Sequence, residues 1–186
     1  QLFKDVTVGR LNYVAIKYIK EQNLIEGYED GTFKPDTQIN RAEALKMLLK
    51  ALPGASDTQP LASDTPTFTF ADVKSDNWFY EYITQAWNKN LIKGYPDGLF
   101  HPERTINRAE SLKILLELEA QHLPAPVSEQ PYSDVAIDAW YAIYAKVAKE
   151  RTLLLESRNN GSLEAETIMT RGSFAEGVAA LWIGEP

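Results

Sequence analysis

The pentapeptide "INRAE" stands at Ile39–Glu43 and recurs unchanged at Ile106–Glu110. Each copy follows a turn-rich segment and precedes an apolar run at helical spacing: Leu45, Leu48, Leu49 and Leu52 after the first, Leu112, Leu115 and Leu116 after the second. The fourth position of the second run is Glu119. Asn40 and Asn107 are therefore placed as N-caps, and Glu43 and Glu110, three residues on, complete a capping box with Asn as its first member. Ile39 and Ile106, one residue before the caps, suit a hydrophobic staple. Arg41 and Arg108 have no such explanation. A cation in the first turn opposes the helix dipole by a few tenths to about 1 kcal/mol.

Self-similarity extends well beyond the pentapeptide. Leu24–Leu52 laid over Leu91–Glu119, an offset of 67, gives 17 identities in 29 positions. At the same offset Phe3-x-Asp5-Val6 matches Phe70-x-Asp72-Val73. A weaker third copy starts at Tyr132-x-Asp134-Val135, pairs Trp140-Tyr141 with Trp78-Phe79, and then drifts by one residue so that Arg171 matches Arg108. There "TRGS" keeps the arginine and loses both Ala and Glu. This organisation predicts repeats at 1–52, 69–120 and 132–186, with Pro-, Ser- and Thr-rich linkers at 53–68 and 121–131. A unit of about 50 residues is marginal alone, so the repeats are expected to pack on one another.

Within a repeat the order is helix, short extended piece, turn, helix. Leu11, Val14, Ala15, Tyr18 and Ile19 mark the first helix of the first repeat by their spacing. Asn23 and Asn90 fall where a helix ends in the left-handed conformation that Asn tolerates. Asp30-Gly31 and Asp97-Gly98 are turn signals, without the alternating acids and distal Glu of a calcium loop. The fold class expected is all-α, mainly helical.

Composition narrows function by exclusion. There is no cysteine, hence no disulfide, thiolate metal site or Cys nucleophile. Two histidines, His101 and His122, offer a poor basis for zinc, and no cofactor is expected. A net charge of −7 lacks the basic stripe of a nucleic-acid binder. No apolar run approaches the roughly 18 residues of a membrane span. The start "QLFKDVTVGR" has no signal-peptide core, which predicts either a cytosolic protein or a fragment of a secreted one. Acid pairs such as Glu164/Glu166 and Glu117/Glu119 read as solvated faces, and no nucleophile–base order or phosphate loop points to an enzyme.

Two readings of the arginines stay open. In one, each pairs with an acid of its own chain, Asp5, Asp72 or Asp134, and ties repeats together. In the other, guanidinium and free helix-start N–H groups form a socket for an external anion such as a carboxylate.

Asp-Val…Trp-Phe…Gly-Tyr-x-Asp-Gly-x-Phe-x-Pro…Asn-Arg-Ala-Glu resembles the S-layer homology (SLH) family, whose signature ends in a Thr-Arg-Ala-Glu-like tetrapeptide. The resemblance covers nearly the whole chain as three tandem repeats, closest in the second and partial in the third. It implies a pseudo-three-fold spindle with a central helical bundle and ligand grooves between neighbours. It also implies non-catalytic anchoring of a secreted surface protein to cell-wall polysaccharide, typically a secondary polymer carrying pyruvate ketals, at the cell surface or S-layer. Carried over, the ligand residues are Arg41, Arg108 and Arg171, Trp78 and Trp140, and the pairs Gly27-Tyr28 and Gly94-Tyr95. Leu11 stands at the tryptophan position of the first repeat. The third repeat lacks Gly-Tyr, Phe-x-Pro and Ala-Glu, so one or two working grooves are expected, centred on Arg108. Other surface-layer protein is a further possible partner, which leaves a structural or interaction module as the alternative.

Overall fold

The computed structural model describes residues 2–51, 70–117, 123, 127–154 and 161–183. Among them are six helices: α1 (Tyr13–Glu21), α2 (Arg41–Ala51), α3 (Tyr80–Asn88), α4 (Arg108–Leu116), α5 (Ala142–Arg151) and α6 (Arg171–Ile183). Extended chain pairs only as isolated antiparallel bridges, so the fold is mainly helical, as expected. The expected linker 53–68 lies outside the described residues, as does much of 121–131.

The helix starts form as the caps require. Asn40 Oδ1 accepts the Glu43 N–H at 2.8 Å while Glu43 Oε2 accepts the Asn40 N–H at 3.2 Å. Asn107 and Glu110 repeat this reciprocal pair at 2.9 and 3.1 Å. In the third unit Thr170 Oγ1 accepts the Ser173 N–H at 3.1 Å, a cap without the box.

One residue before each cap, the three units meet. The Ile39 N–H donates to the Met169 carbonyl at 3.0 Å, Met169 to Ile106 at 2.9 Å, and Ile106 to Ile39 at 3.3 Å. This closed ring of backbone bonds marks a pseudo-three-fold axis, with all three side chains buried around it. Further along each helix start a second set of bonds runs in the opposite rotation. The Arg41 N–H donates to the Arg104 carbonyl, Arg108 to Thr167 and Arg171 to Thr37. Ala42, Ala109 and Gly172 donate to the carbonyls of Pro102, Ala165 and Pro35. Donors that a helix start normally leaves unpaired are thus satisfied by the next unit.

Helices α2, α4 and α6 pack on one another at the centre. Each remaining helix docks on the central helix of a neighbouring unit: α1 on α6, α3 on α2, α5 on α4. No unit closes its own core, which is how pieces too small to be stable alone reach stability together. Helix α6 has the central position its composition demands, being apolar nearly all round and buried from Arg171 to Ala179.

The expected apolar face of α1 is corrected in part. Ile19 is buried and Ala15 and Tyr18 pack partly against the core as expected, but Leu11 and Val14 are 60% and 72% exposed, and the buried row is Asn12, Ile16 and Ile19. The row is set by the partner helix: Asn12 enters against α6 at Gly172, where a Cβ would collide with the Asn12 amide and lie 2.9 Å from the Pro35 oxygen. That contact explains why the third unit has Gly where the others have Ala42 and Ala109. At the helix ends Asn23 and Asn90 are left-handed as expected, with φ of 57° and 58°, and Thr152 does the same in the third unit at 59°.

Candidate functional site

The motif arginines are buried, with 9%, 5% and 7% exposure for Arg41, Arg108 and Arg171. Each reaches across a unit boundary to a backbone carbonyl. Arg41 Nε donates to Phe100 O at 3.1 Å, Arg108 Nη1 to Leu163 O at 2.5 Å, and Arg171 Nε to Phe33 O at 3.0 Å. Glu164 lies 3.4 Å from Arg108, and Glu43 lies 3.5 Å from Arg171. Arg41 and Arg171 also lie over aromatic rings, those of Tyr95 and Phe100 and of Tyr28 and Phe33, at 4.5–4.9 Å. Burial holds the Arg41 pKa below its ordinary value.

The aspartates considered as arginine partners bind elsewhere. Asp5 accepts the N–H groups of Phe33 and Lys34 at 2.8 and 2.7 Å. Asp72 does so for Phe100 and His101, and Asp134 for Leu163 and Glu164. Burial alone would raise the Asp134 pKa, but these bonds and one from Ser162 leave it below normal. In each unit the second of these residues is left-handed: Lys34, His101 and Glu164 have φ of 56°, 56° and 51°. Nothing in those three residue types announces such a turn. The amide socket expected at the helix start is also absent, because its N–H groups are already taken by the next unit and by the cap. The arginines do tie units together, through carbonyls.

A cleft nonetheless opens beside Arg171. This cavity of about 310 Å³ lies between units, with Gly27 and Tyr28 on one wall, Glu43 and Lys46 from α2 on another, and Trp78 of the second unit at its mouth. Trp78 is 50% exposed, which leaves an indole face open to solvent. Lys46 Nζ sits 5.7 Å from the Trp78 ring centre. Lys50 holds Glu26 at 2.7 Å and so keeps that carboxyl pKa below its usual value. Tyr28 Oη donates to Glu43 Oε1 at 3.2 Å, and its pKa is raised, first by burial. The chemistry there is an apolar platform, two ammonium groups that share Glu26 at 3.8 Å (Lys46) and 2.7 Å (Lys50), and the Arg171 guanidinium beside Glu43. Such a surface suits a saccharide ring with an acidic substituent.

Equivalent side chains meet at the next boundary, here termed the second groove: Tyr95 Oη donates to Glu110 at 3.2 Å, Arg41 lies over the Tyr95 ring at 4.9 Å, and Lys113 lies 5.9 Å from the ring of Trp140, itself 56% exposed. At the third boundary the counterparts are Leu11, Ser173 and Glu176, so tryptophan, capping Glu and lysine are all replaced. Arg108 lies at that boundary, reaching Leu163 of the third unit. The structure therefore brings Arg171, Gly27, Tyr28 and Trp78 to one groove and Arg41, Tyr95 and Trp140 to another. Gly27 and Gly94 are there for packing: a Cβ on Gly27 would lie 2.5 Å from both Phe3 and the Thr32 oxygen, and one on Gly94 would strike Phe70. Lys46 and Lys113 escaped sequence reasoning, although their identity at the 67-residue offset was a usable signal. Among the described residues, no cluster of His and acidic side chains is arranged to hold a metal, and no helix is long and apolar enough to cross a membrane.

Comparisons with known proteins place parts of the chain in a family. The S-layer homology domain model matches residues 13–45 and 69–110. A cellulosome-anchoring protein of Acetivibrio thermocellus is 38% identical over 74% of this chain and 30% of its own length. A surface layer protein of Brevibacillus choshinensis is 31% identical over 55% of the chain and 9% of its own length. An endoglucanase of Bacillus sp. (strain KSM-635) is 27% identical over 96% of the chain but 18% of its own length. The chain thus spans less than a third of each of these relatives. Residues 13–45 and 69–110 are S-layer homology domains, and through them the chain belongs to that family.

Proposed function

We propose that this chain is a non-catalytic module that anchors a larger surface protein to cell-wall glycan, and that the third unit, 132–186, is a diverged copy of the same domain. The relatives named as anchoring and surface layer proteins support that role and a cell-surface location. The endoglucanase relative is mostly sequence beyond this segment, which fits a module attached to varied partners. The observation that carries the reading is the groove beside Arg171, where Trp78 offers an exposed ring and Lys46 an adjacent cation. An acidic glycan substituent, such as the carboxylate of a pyruvate ketal on a secondary wall polymer, would meet Lys46 first, with Arg171 beneath. Purified wall sacculi should pull the chain down, and chemical removal of ketal pyruvate should abolish capture. Trp78→Ala should weaken capture at least tenfold without lowering the melting temperature. Undiminished capture after depyruvylation would reject the ligand.

A second reading has one observation behind it. All three arginines are engaged within the protein and the third boundary has lost its groove residues, as a structural or protein-interaction module would allow. Light scattering after size exclusion, with and without wall glycan, separates the two: self-association indifferent to glycan favours the second.

A further inference from the structure

The first and second grooves share their frame, with Lys93, Ile114 and Glu117 in the second where the first has Glu26, Met47 and Lys50, and they differ again at the polar end. Thr37 of the first unit corresponds to Arg104 of the second at the 67-residue offset. Arg104 Nη1 donates to Tyr95 Oη and, at 2.6 Å, to Glu110 Oε1. Its guanidinium also lies 5.3 Å from the centre of the Tyr95 ring. Tyr95 and Glu110 are the counterparts of Tyr28 and Glu43, which line the open cavity of the first groove. There the Glu43 carboxylate accepts from Tyr28 Oη and the Asn40 N–H, both at 3.2 Å, and the guanidinium near it is that of Arg171, at 3.5 Å.

On the reading that the grooves bind an acidic glycan, we propose that Arg104 is a built-in plug that occupies the polar end of the second groove and leaves the first, at Arg171 and Trp78, as the dominant site. The physical argument is competition for one place. A ligand carboxylate entering the second groove must displace a guanidinium held by a carboxylate only 16% exposed and by a phenol. Charge-assisted hydrogen bonds of this kind are roughly twice as strong as neutral ones. Lys46 of the first groove has a counterpart in Lys113, and Trp78 in Trp140, so that cation and the platform are common to both, whereas Lys50 is replaced by Glu117, which Tyr144 engages.

The inference is tested by titrating the purified chain calorimetrically with a hexose bearing a 4,6-linked pyruvate ketal. The wild type should show one site with a second at least tenfold weaker, while Arg104→Thr should show two sites of similar affinity. The far-ultraviolet melt of Arg104→Thr serves as the folding control, and a soaked crystal identifies which groove fills first. Two equal sites in the wild type, or a second site unchanged or weakened in Arg104→Thr, would overturn the plug while leaving the glycan reading standing. Absence of binding in both proteins would overturn both.

Discussion

Arg171 and Asp5 hold the same segment from opposite sides. Arg171 Nε donates to the Phe33 carbonyl at 3.0 Å, while the Asp5 carboxylate accepts the N–H groups of Phe33 and Lys34. The aspartate belongs to the first unit and the arginine to the third, so one peptide joins the two. Arg41 with Asp72, and Arg108 with Asp134, do the same at the other boundaries. The helix-start arginine is therefore tolerated against the dipole because its charge is used on carbonyls of a neighbouring unit.

Removing that arginine should cost stability. Arg108→Ala deletes a buried, charge-assisted donor and leaves the Leu163 carbonyl without it, a loss of about 2–4 kcal/mol. For a chain of this size that lowers the melting temperature by roughly 5–12 °C. Arg108→Lys should recover only part, since an ammonium lacks the planar fork. Differential scanning calorimetry of the three proteins checks this, and an unchanged melting temperature in Arg108→Ala would remove the arginine from the framework.

The glycines of the Gly-Tyr pairs should be equally unforgiving, for steric reasons. Gly27→Ala places a methyl against Phe3 and the Thr32 oxygen, and Gly94→Ala against Phe70. Overpacking of this kind costs about 1–3 kcal/mol. Urea unfolding should show the loss for both variants. Gly98→Ala is the comparison, because open space surrounds that position and only its positive φ is affected.

What could be read in advance follows from what is local. Caps, left-handed Asn residues and the central leucines Leu45, Leu48, Leu49, Leu112, Leu115 and Leu116 depend on neighbours in sequence, and the reading placed them correctly, while Leu52 lies outside the described residues. Leu11 and Val14 of α1's expected face turned out exposed because helix α6, about 150 residues away, decides which row is buried. The destination of Arg41, Arg108 and Arg171 was hidden for the same reason. Spacing can show that a charge is out of place, but not that a carbonyl of another unit waits for it. Arg104 was invisible as a special residue until Tyr95 and Glu110 were seen to converge on it.

Acid should weaken the second unit's cap. Burial tends to raise the Glu110 pKa, but bonds from Arg104, the Asn107 N–H and Tyr95 outweigh it and set the value below the ordinary 4.5. A carboxyl depressed in the folded state stabilises fully above its unfolded value, and that contribution disappears as pH falls through the folded value. Glu110→Gln should therefore be less stable than wild type at neutral pH, with the gap narrowing below about pH 4.5. Denaturant midpoints across that range measure the gap; a constant difference would mean Glu110 contributes through packing alone.

At the alkaline end the sensitive contact is Tyr144 on Glu117, where α5 meets the end of α4. Tyr144 Oη donates to Glu117 Oε2 at 2.8 Å. Burial, together with that carboxylate, pushes the phenol from 10.0 up to about 12. A phenol whose folded value is raised binds its proton more tightly when folded, so its contribution is fully present below 10.0 and is lost as pH climbs towards about 12. Tyr144→Phe removes the hydrogen bond, for a loss of about 1 kcal/mol at neutral pH, and also removes the ionisable group. Wild type and variant should converge in stability across that alkaline window. The wild type's phenolate absorbance should carry one late-titrating tyrosine that the variant lacks. If the two proteins keep a fixed difference up to the highest pH at which both stay folded, the Tyr144–Glu117 bond is not the junction between these helices.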